Sequence, residues 1–286
     1  MPTSETKINW FPGHMAKALR MIEENLALAD AVGYVLDARA PAACINPALD
    51  TLISDKGVVF ILTKKDLSEE KAVRAWEEYF SEKGGVASVN AAAGLNIAAV
   101  KAAFENTEKK RVSRFEKKGI YTPVRVMIIG VPNSGKSTLI NALAGKKSAV
   151  TGDKPGVTKG KQWVRLSKGL ELMDTPGTLW GKLENPLYAR HLAYIGSVRD
   201  EVVDMTELAA DFLEEMAEKY PERLRERYKT ELQQKGADML ESICRARGCM
   251  LKGGEPDLER GAKSIIEDFR KGRLGKICLE MPDERT

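Results

Sequence analysis

The apolar positions of this chain change their spacing in a regular order. Over residues 15–30, Met15, Leu19, Ile22 and Leu26 recur at helical intervals, which predicts an amphipathic helix entered through the turn "FPGH". "AVGYVLDARAP" and "GVVFILTKKDL" are then short, unbroken apolar runs ending in charged turns, the pattern of strands buried on both faces. A helical stretch follows in "EEKAVRAWEEYFSEKG", then a weaker strand in "VASVNAAAG" and a helix to about residue 105. "TPVRVMIIG" is a further strand, and the glycine-rich turn after it opens another helix. "KQWVRLS" and "LELMDTPG" read as a hairpin or as adjacent strands.

Strands alternating with helices predict a three-layer α/β fold around a mostly parallel sheet. In such sheets ligands sit beyond the carboxyl ends of the strands. Here those ends read "LDARAP", "LTKKD", "VNAAAG", "GVPNSGKS" and "DTPG", so all five polar turns are expected along one edge. After about Leu183 the strand pattern stops. Asp204 and Glu207 are spaced as a capping box in front of Leu208, Phe212 and Met216. "DLERGAKSIIEDFRKGRLG" repeats the scheme, with Leu258, Ala262, Ile265 and Phe269 inward. The expected division is therefore an α/β domain over 1–183 and a small all-α domain over 184–286.

Composition narrows the classes without choosing among them. No run approaches the eighteen or so apolar residues of a membrane span, and "MPTSETKINWFPGH" has no apolar stretch of a secretory signal. Cys44, Cys244, Cys249 and Cys278 show no paired spacing, and with two histidines in the chain zinc is not expected; reduced thiols in a cytoplasm are. The net charge is only +4, but it is unevenly placed: residues 200–218 carry acids and no bases, whereas "ENTEKKRVSRFEKKG" and, in the tail, "RARGCMLKGG" and "FRKGRLGK" are basic. Such placement suits a nucleic-acid partner and equally a solvated surface.

The turns carry the chemistry. Gly130–Ser137 matches GxxxxGK[ST] between a strand and a helix, so backbone N–H groups and the helix N-terminus converge on phosphate. Lys136 is expected to reach the β and γ phosphates and Ser137 to bind Mg²⁺, with Asn133, Ser134, Gly135 and Thr138 completing the nucleotide-binding loop. Some forty residues further on, "DTPG" supplies Asp174 for Mg²⁺ through water and the Gly177 N–H for the γ-phosphate. Between them, "KPGVTKG" offers Thr158 as a magnesium ligand present only in the triphosphate state. "TKKD" points to guanine: Asp66 can accept from N1 and N2 of that base, and the Lys64 stem can lie along it. Thr63 stands where the usual form of this motif has asparagine, which costs an amide that would brace the base and the phosphate loop. "VNAAAG" places Asn90 and Ala91 in a turn whose backbone N–H could meet the guanine oxygen.

More than 120 residues precede the phosphate loop, and the base-reading turns lie among them. The sheet can still close, because strand position in space need not follow chain order, and the basic segment 105–122 then joins the former ends. The same order leaves the "DTPG" strand close in sequence to the tail, a route by which nucleotide state could reach the helices. This arrangement resembles the circularly permuted GTPases, and specifically the ribosome biogenesis GTPase A family, through "INWFPGHMAKALR", "DARAP", "TKKD", "GVPNSGKSTLIN", "PGVTKGKQW", "DTPGTLW" and "IIEDFRKGRLGKICLE". The resemblance implies GTP binding and hydrolysis to GDP with Mg²⁺. It also implies a role in late assembly of the large ribosomal subunit, with rRNA and ribosomal proteins of the precursor as partners and the tail helping to bind RNA. The free chain is expected to be a monomer.

Many GTPases orient the attacking water with a glutamine after the DxxG turn. That position is Thr178 here, so the orienting group must come from elsewhere. A lone histidine is usually structural, but the resemblance places its catalytic histidine at His14, alongside Lys136; His191 is expected to pack at the domain junction. Asn133 reads either as a loop cap or, as the resemblance implies, as a ligand for K⁺ beside the phosphates. From the residues alone two other readings stay open: a P-loop ATPase or small-molecule kinase in which "TKKD" is incidental, and an assembly factor that uses nucleotide only as a structural ligand.

Overall fold

The computed structural model describes residues 12–109, 117, 122–145, 163–167, 169–179 and 185–284, with side chains from residue 19 onward except at 167 and 284. By its backbone contacts the chain forms two units, Phe11–Lys182 with Cys278–Thr286, and Leu183–Ile277.

In the first unit six strands form one sheet: β1 (Ala31–Asp37), β2 (Gly57–Thr63), β3 (Gly85–Ser88), β4 (Val124–Ile129), β5 (Trp163–Ser167) and β6 (Leu170–Asp174). Their spatial order is β3-β2-β1-β4-β6-β5, all parallel except the β5–β6 pair. β1 lies at the centre and is buried at every residue, which explains its unbroken apolar run. One face carries Val35, Val59, Ile61, Val126 and Ile128. These pack under Val100 and Phe104 of α4 (Ile97–Thr107) and Leu139, Ile140 and Leu143 of α5 (Lys136–Ala144). On β2, Phe60 stacks on Phe80 at 4.5 Å, and Phe80 on Trp76 at 5.4 Å, joining the sheet to α3 (Glu70–Ser81). Helices α1 (Pro12–Leu26) and α2 (Pro47–Leu52) complete the described α-helices of this unit. Helix α1 begins at Pro12, so His14 lies in its first turn rather than in a turn ahead of it; proline is suited to that position because its missing N–H has no helical partner.

The second unit is helical: α6 (Pro186–Tyr194), α7 (Met205–Lys219), α8 (Pro221–Tyr228), α9 (Gly236–Arg247) and α10 (Leu258–Arg270). Asp204 caps α7, its Oδ1 accepting from the N–H groups of Thr206 at 2.9 Å and Glu207 at 3.0 Å. Leu208, Phe212 and Met216 point into the core, as do Ala262, Ile265 and Phe269; Leu258, at the first turn of α10, is instead 37% exposed. Residues 278–284, read from sequence as part of the helical tail, pack within the α/β unit, because Glu280, Leu279 and Cys278 find hydrogen-bond partners there.

Candidate functional site

Parallel pairing brings the carboxyl ends of β1, β2, β3, β4 and β6 to one edge of the sheet. At β4 that end becomes the loop Gly130–Ser137. Gly130 has φ +147°, and a Cβ there would lie 2.3 Å from the Val35 carbonyl oxygen, so glycine alone lets the loop pass so close to β1. Lys136 is buried, and its Nζ donates to the Val131 carbonyl at 2.8 Å. Burial pulls its pKa down to about 8, with Asp174 acting in the opposite sense. The ammonium is thus folded back over its own loop, where a phosphate oxygen could take the place of a neutral carbonyl.

The turn after β6 is fastened to this loop. Thr175 Oγ1 donates to the Ile128 carbonyl at 2.7 Å, and the Thr178 N–H donates to that of Gly130 at 3.2 Å. A Cβ at Gly177 would lie 2.6 Å from Pro132 Cα, so the turn rests directly on the phosphate loop. Thr178 itself is buried, and its hydroxyl has no hydrogen-bond partner among the described residues. Ser137 Oγ stands 3.4 Å from Asp174 Oδ2. Loss of hydration raises the Asp174 pKa, against the pull of Lys136 and the Ser137 hydroxyl. A hydroxyl and a carboxylate at this separation are the hard oxygen donors Mg²⁺ takes from protein when phosphate and water complete its shell. The pair fits that ion.

The "TKKD" turn after β2 meets the same loop from the other side. Thr63 is buried, with Oγ1 2.5 Å from the Ser134 carbonyl oxygen and 3.0 Å from that of Leu36. The part of the brace that would reach the phosphate loop, expected to be lost with asparagine, is therefore supplied by a hydroxyl. Lys64, left-handed at φ +54°, donates from Nζ to the Asn133 carbonyl at 2.7 Å and pairs with Asp37 Oδ2 at 2.9 Å. Asp66 is exposed in the turn Lys65–Leu67. The Lys65 N–H donates to the Val89 carbonyl at 3.3 Å, which joins this turn to Asn90 and Ala91; the Asn90 side chain accepts from the Ala93 N–H at 3.0 Å and so caps its own turn. Asn133, in the left-handed region at φ +57°, shapes the phosphate loop.

One group of residues beside the site was not picked out from sequence as functional. Asp37 is fully buried at the end of β1 and accepts from Arg39 Nε at 2.9 Å and Nη2 at 2.7 Å as well as from Lys64. Burial pushes its carboxyl up, but Arg39 and Lys64 outweigh that and hold it well below the usual carboxylate range. The signal available was an Asp-x-Arg pair closing a wholly apolar strand. Thr158 lies outside the described residues, and His14 is placed only by its backbone. His191 is buried in the helical unit, with Nε2 2.9 Å from Glu215 Oε1 on α7.

Comparison with known proteins agrees with this geometry. Residues 125–238 match the family profile described as "50S ribosome-binding GTPase". A ribosome biogenesis GTPase A from Bacillus cereus is 41% identical, covering 97% of this chain and 95% of its own length. Its counterpart from Thermotoga maritima is 31% identical over 98% and 96%. Among solved structures, the crystal structure of GNP-bound YlqF from T. maritima superposes with a TM-score of 0.66 at 29% identity, covering 93% of this chain and 99% of that one. A GDP-bound YlqF structure matches with the same score.

Proposed function

This chain belongs to the ribosome biogenesis GTPase A family and is a GTP hydrolase, and we propose that it acts in late maturation of the large ribosomal subunit, with nucleotide state controlling its hold on the precursor particle. The observation that carries the nucleotide part is the pair of ties between the base-reading turn and the phosphate loop. Thr63 Oγ1 to Ser134 O and Lys64 Nζ to Asn133 O span 71 and 69 residues of sequence. They allow Asp66 and Lys136 to serve opposite ends of one guanosine triphosphate. The guanine preference of "TKKD" thereby gains a physical context that an ATPase or kinase reading lacks. The large-subunit assignment draws on the "50S ribosome-binding" description of the matched profile.

In this reading Lys136 exchanges the Val131 carbonyl for phosphate oxygens and places a positive charge where charge develops in the transition state. Ser137 and Asp174, with Thr158, would hold Mg²⁺, whose bound charge stabilises the phosphate oxygens. The Gly177 N–H would meet the γ-phosphate, and any change in that contact passes to the phosphate loop through Pro132. Thr178 offers no amide to orient water; His14, at the first turn of α1, would take that role once the particle docks, as the family resemblance implies. Asn133 would hold K⁺ beside the phosphates, and the basic faces of the helical unit would meet rRNA.

Sedimentation of the protein with ribosomal subunits and assembly intermediates tests the proposal. Association with the large-subunit precursor should be stronger with a GTP analogue than with GDP; equal association in both states would reject nucleotide control. His14→Ala should reduce particle-stimulated turnover far more than GTP affinity, and faster hydrolysis in K⁺ than in Na⁺ would support the Asn133 reading.

A further inference from the structure

Residues 278–284 follow the helical unit in the chain yet are built into the α/β unit beside β1 and α3. The Leu279 N–H donates to the Arg39 carbonyl at 2.8 Å, and Cys278 Sγ lies 3.4 Å from that of Ala38. Trp76 Nε1 donates to the Glu280 carbonyl at 3.0 Å. The Glu280 carboxylate is buried, and its Oε2 accepts the N–H groups of Ala42 at 2.6 Å and Ala43 at 3.1 Å. A carboxylate is costly to bury unless such donors replace its water, so this placement is specific and not a loose tail lying on a surface.

All of these contacts except the one from Trp76 fall on residues 38–43, the stretch that leaves β1 directly after Asp37. Arg39 is consequently gripped twice. Its carbonyl takes the Leu279 N–H, and its guanidinium grips Asp37, which in turn pairs with Lys64. Lys64 then reaches the Asn133 carbonyl of the phosphate loop. An unbroken series of short polar contacts thus runs from the carboxyl-terminal strap to the turn that reads the base.

We propose that the strap 278–284, through Leu279 and Glu280, is a positioning element for the guanine side of the nucleotide site: it fixes the 38–43 loop, and so the Asp37–Arg39 pair that orients Lys64. Glu280 acts through these groups without touching nucleotide. The proposal rests on the reading of Lys64 and Asp66 as nucleotide contacts.

The test uses the full chain and a fluorescent GDP. Glu280→Ala should raise the GDP Kd about tenfold through faster dissociation, equivalent to about 1.4 kcal/mol. The same variant should raise KM for GTP in parallel while kcat changes by less than about twofold, the split expected when binding geometry and not chemistry is lost. Glu280→Gln, which keeps an acceptor oxygen, should stay within about threefold of the parent, and the exposed Asp283→Ala on the same strap should leave affinity unchanged. A folded Glu280→Ala protein with the parent's GDP dissociation rate would overturn the proposal. Should that variant fail to fold, hydrogen exchange in the parent decides: GDP should slow exchange of the Ala42 and Ala43 amides, and protection confined to the phosphate loop would overturn it equally. A parent that bound no GDP would instead overturn the nucleotide reading, and this inference with it.

Discussion

Thr63 shows how a departure from a motif can conserve its mechanics. Its hydroxyl is short, but the strand end that carries it is pressed against the phosphate loop, so Oγ1 reaches the Ser134 carbonyl directly. Thr63→Val keeps the shape and deletes the donor, leaving buried carbonyls of Ser134 and Leu36 without this partner. GDP affinity should fall by roughly three- to tenfold, or about 1 kcal/mol, in a fluorescent nucleotide titration, whereas Thr63→Ser should stay near the parent. Asp37 beside it is the larger structural commitment. Asp37→Asn would strand the buried Arg39 guanidinium and should cost about 3–5 kcal/mol of stability near neutral pH. The sign of the pH dependence follows from the depressed carboxyl. Its stabilisation is complete above the ordinary carboxylate value of 3.8 and is lost as the pH falls through the lower folded-state value. Denaturant unfolding of parent and variant should therefore show a gap that is constant from pH 7 to about 5 and narrows only in stronger acid.

At the level of elements, the turn after β6 and the phosphate loop behave as one surface. A methyl at Gly177 would meet Pro132 Cα at 2.6 Å and its nitrogen at 2.7 Å, both backbone atoms that cannot swing aside. Gly177→Ala should push the two turns apart, slowing hydrolysis by about 100-fold while GDP binding, which needs no γ-phosphate contact, changes by less than about tenfold. Comparable losses in both would mean that the loop itself had collapsed. The strands and this loop were legible in sequence because their signals are local: an apolar run, a glycine-rich turn and a helix follow one another within about twenty residues. The cap at Asp204 was legible for the same reason. The α6, α8 and α9 helices were not picked out, since they are short or strongly charged and are ordered by what they pack against. Leu258 was assigned inward by periodicity, but as the first residue of α10 it has no preceding turn to fix its face. The brace through Thr63 and the docking of Glu280 on Ala42 and Ala43 were beyond sequence reasoning, because each joins residues that only the fold brings together.

For the whole molecule, the permuted order has a covalent consequence. The chain leaves the α/β unit after the turn that follows β6 and returns to it as the strap beside Asp37, so in sequence the helical unit stands between two segments of the α/β unit. In the helical unit three arginines converge on Asp268. This fully buried carboxylate accepts from Arg227 at 2.9 Å, Arg247 at 2.9 Å and Arg273 at 2.7 Å, while those three side chains stay 32%, 33% and 42% exposed. Burial raises the Asp268 carboxyl, and the arginines more than offset it. Three guanidiniums pinned to one carboxylate leave positive charge in excess and donors free of the rotamer entropy that an unanchored arginine would lose on binding. Such a patch suits RNA phosphate. If it meets rRNA, association of the full chain with the large-subunit precursor should weaken linearly in a plot of log affinity against log salt. Arg247→Ala should then lower the slope by about 0.7–0.9 per phosphate contact removed, and Arg247→Lys should restore most of that slope with less of the affinity. The remaining two arginines keep Asp268 paired, so the helical unit should stay folded in both variants. An unchanged slope in a folded Arg247→Ala protein would remove this arginine from the RNA contact and move the interface to another face of the helices.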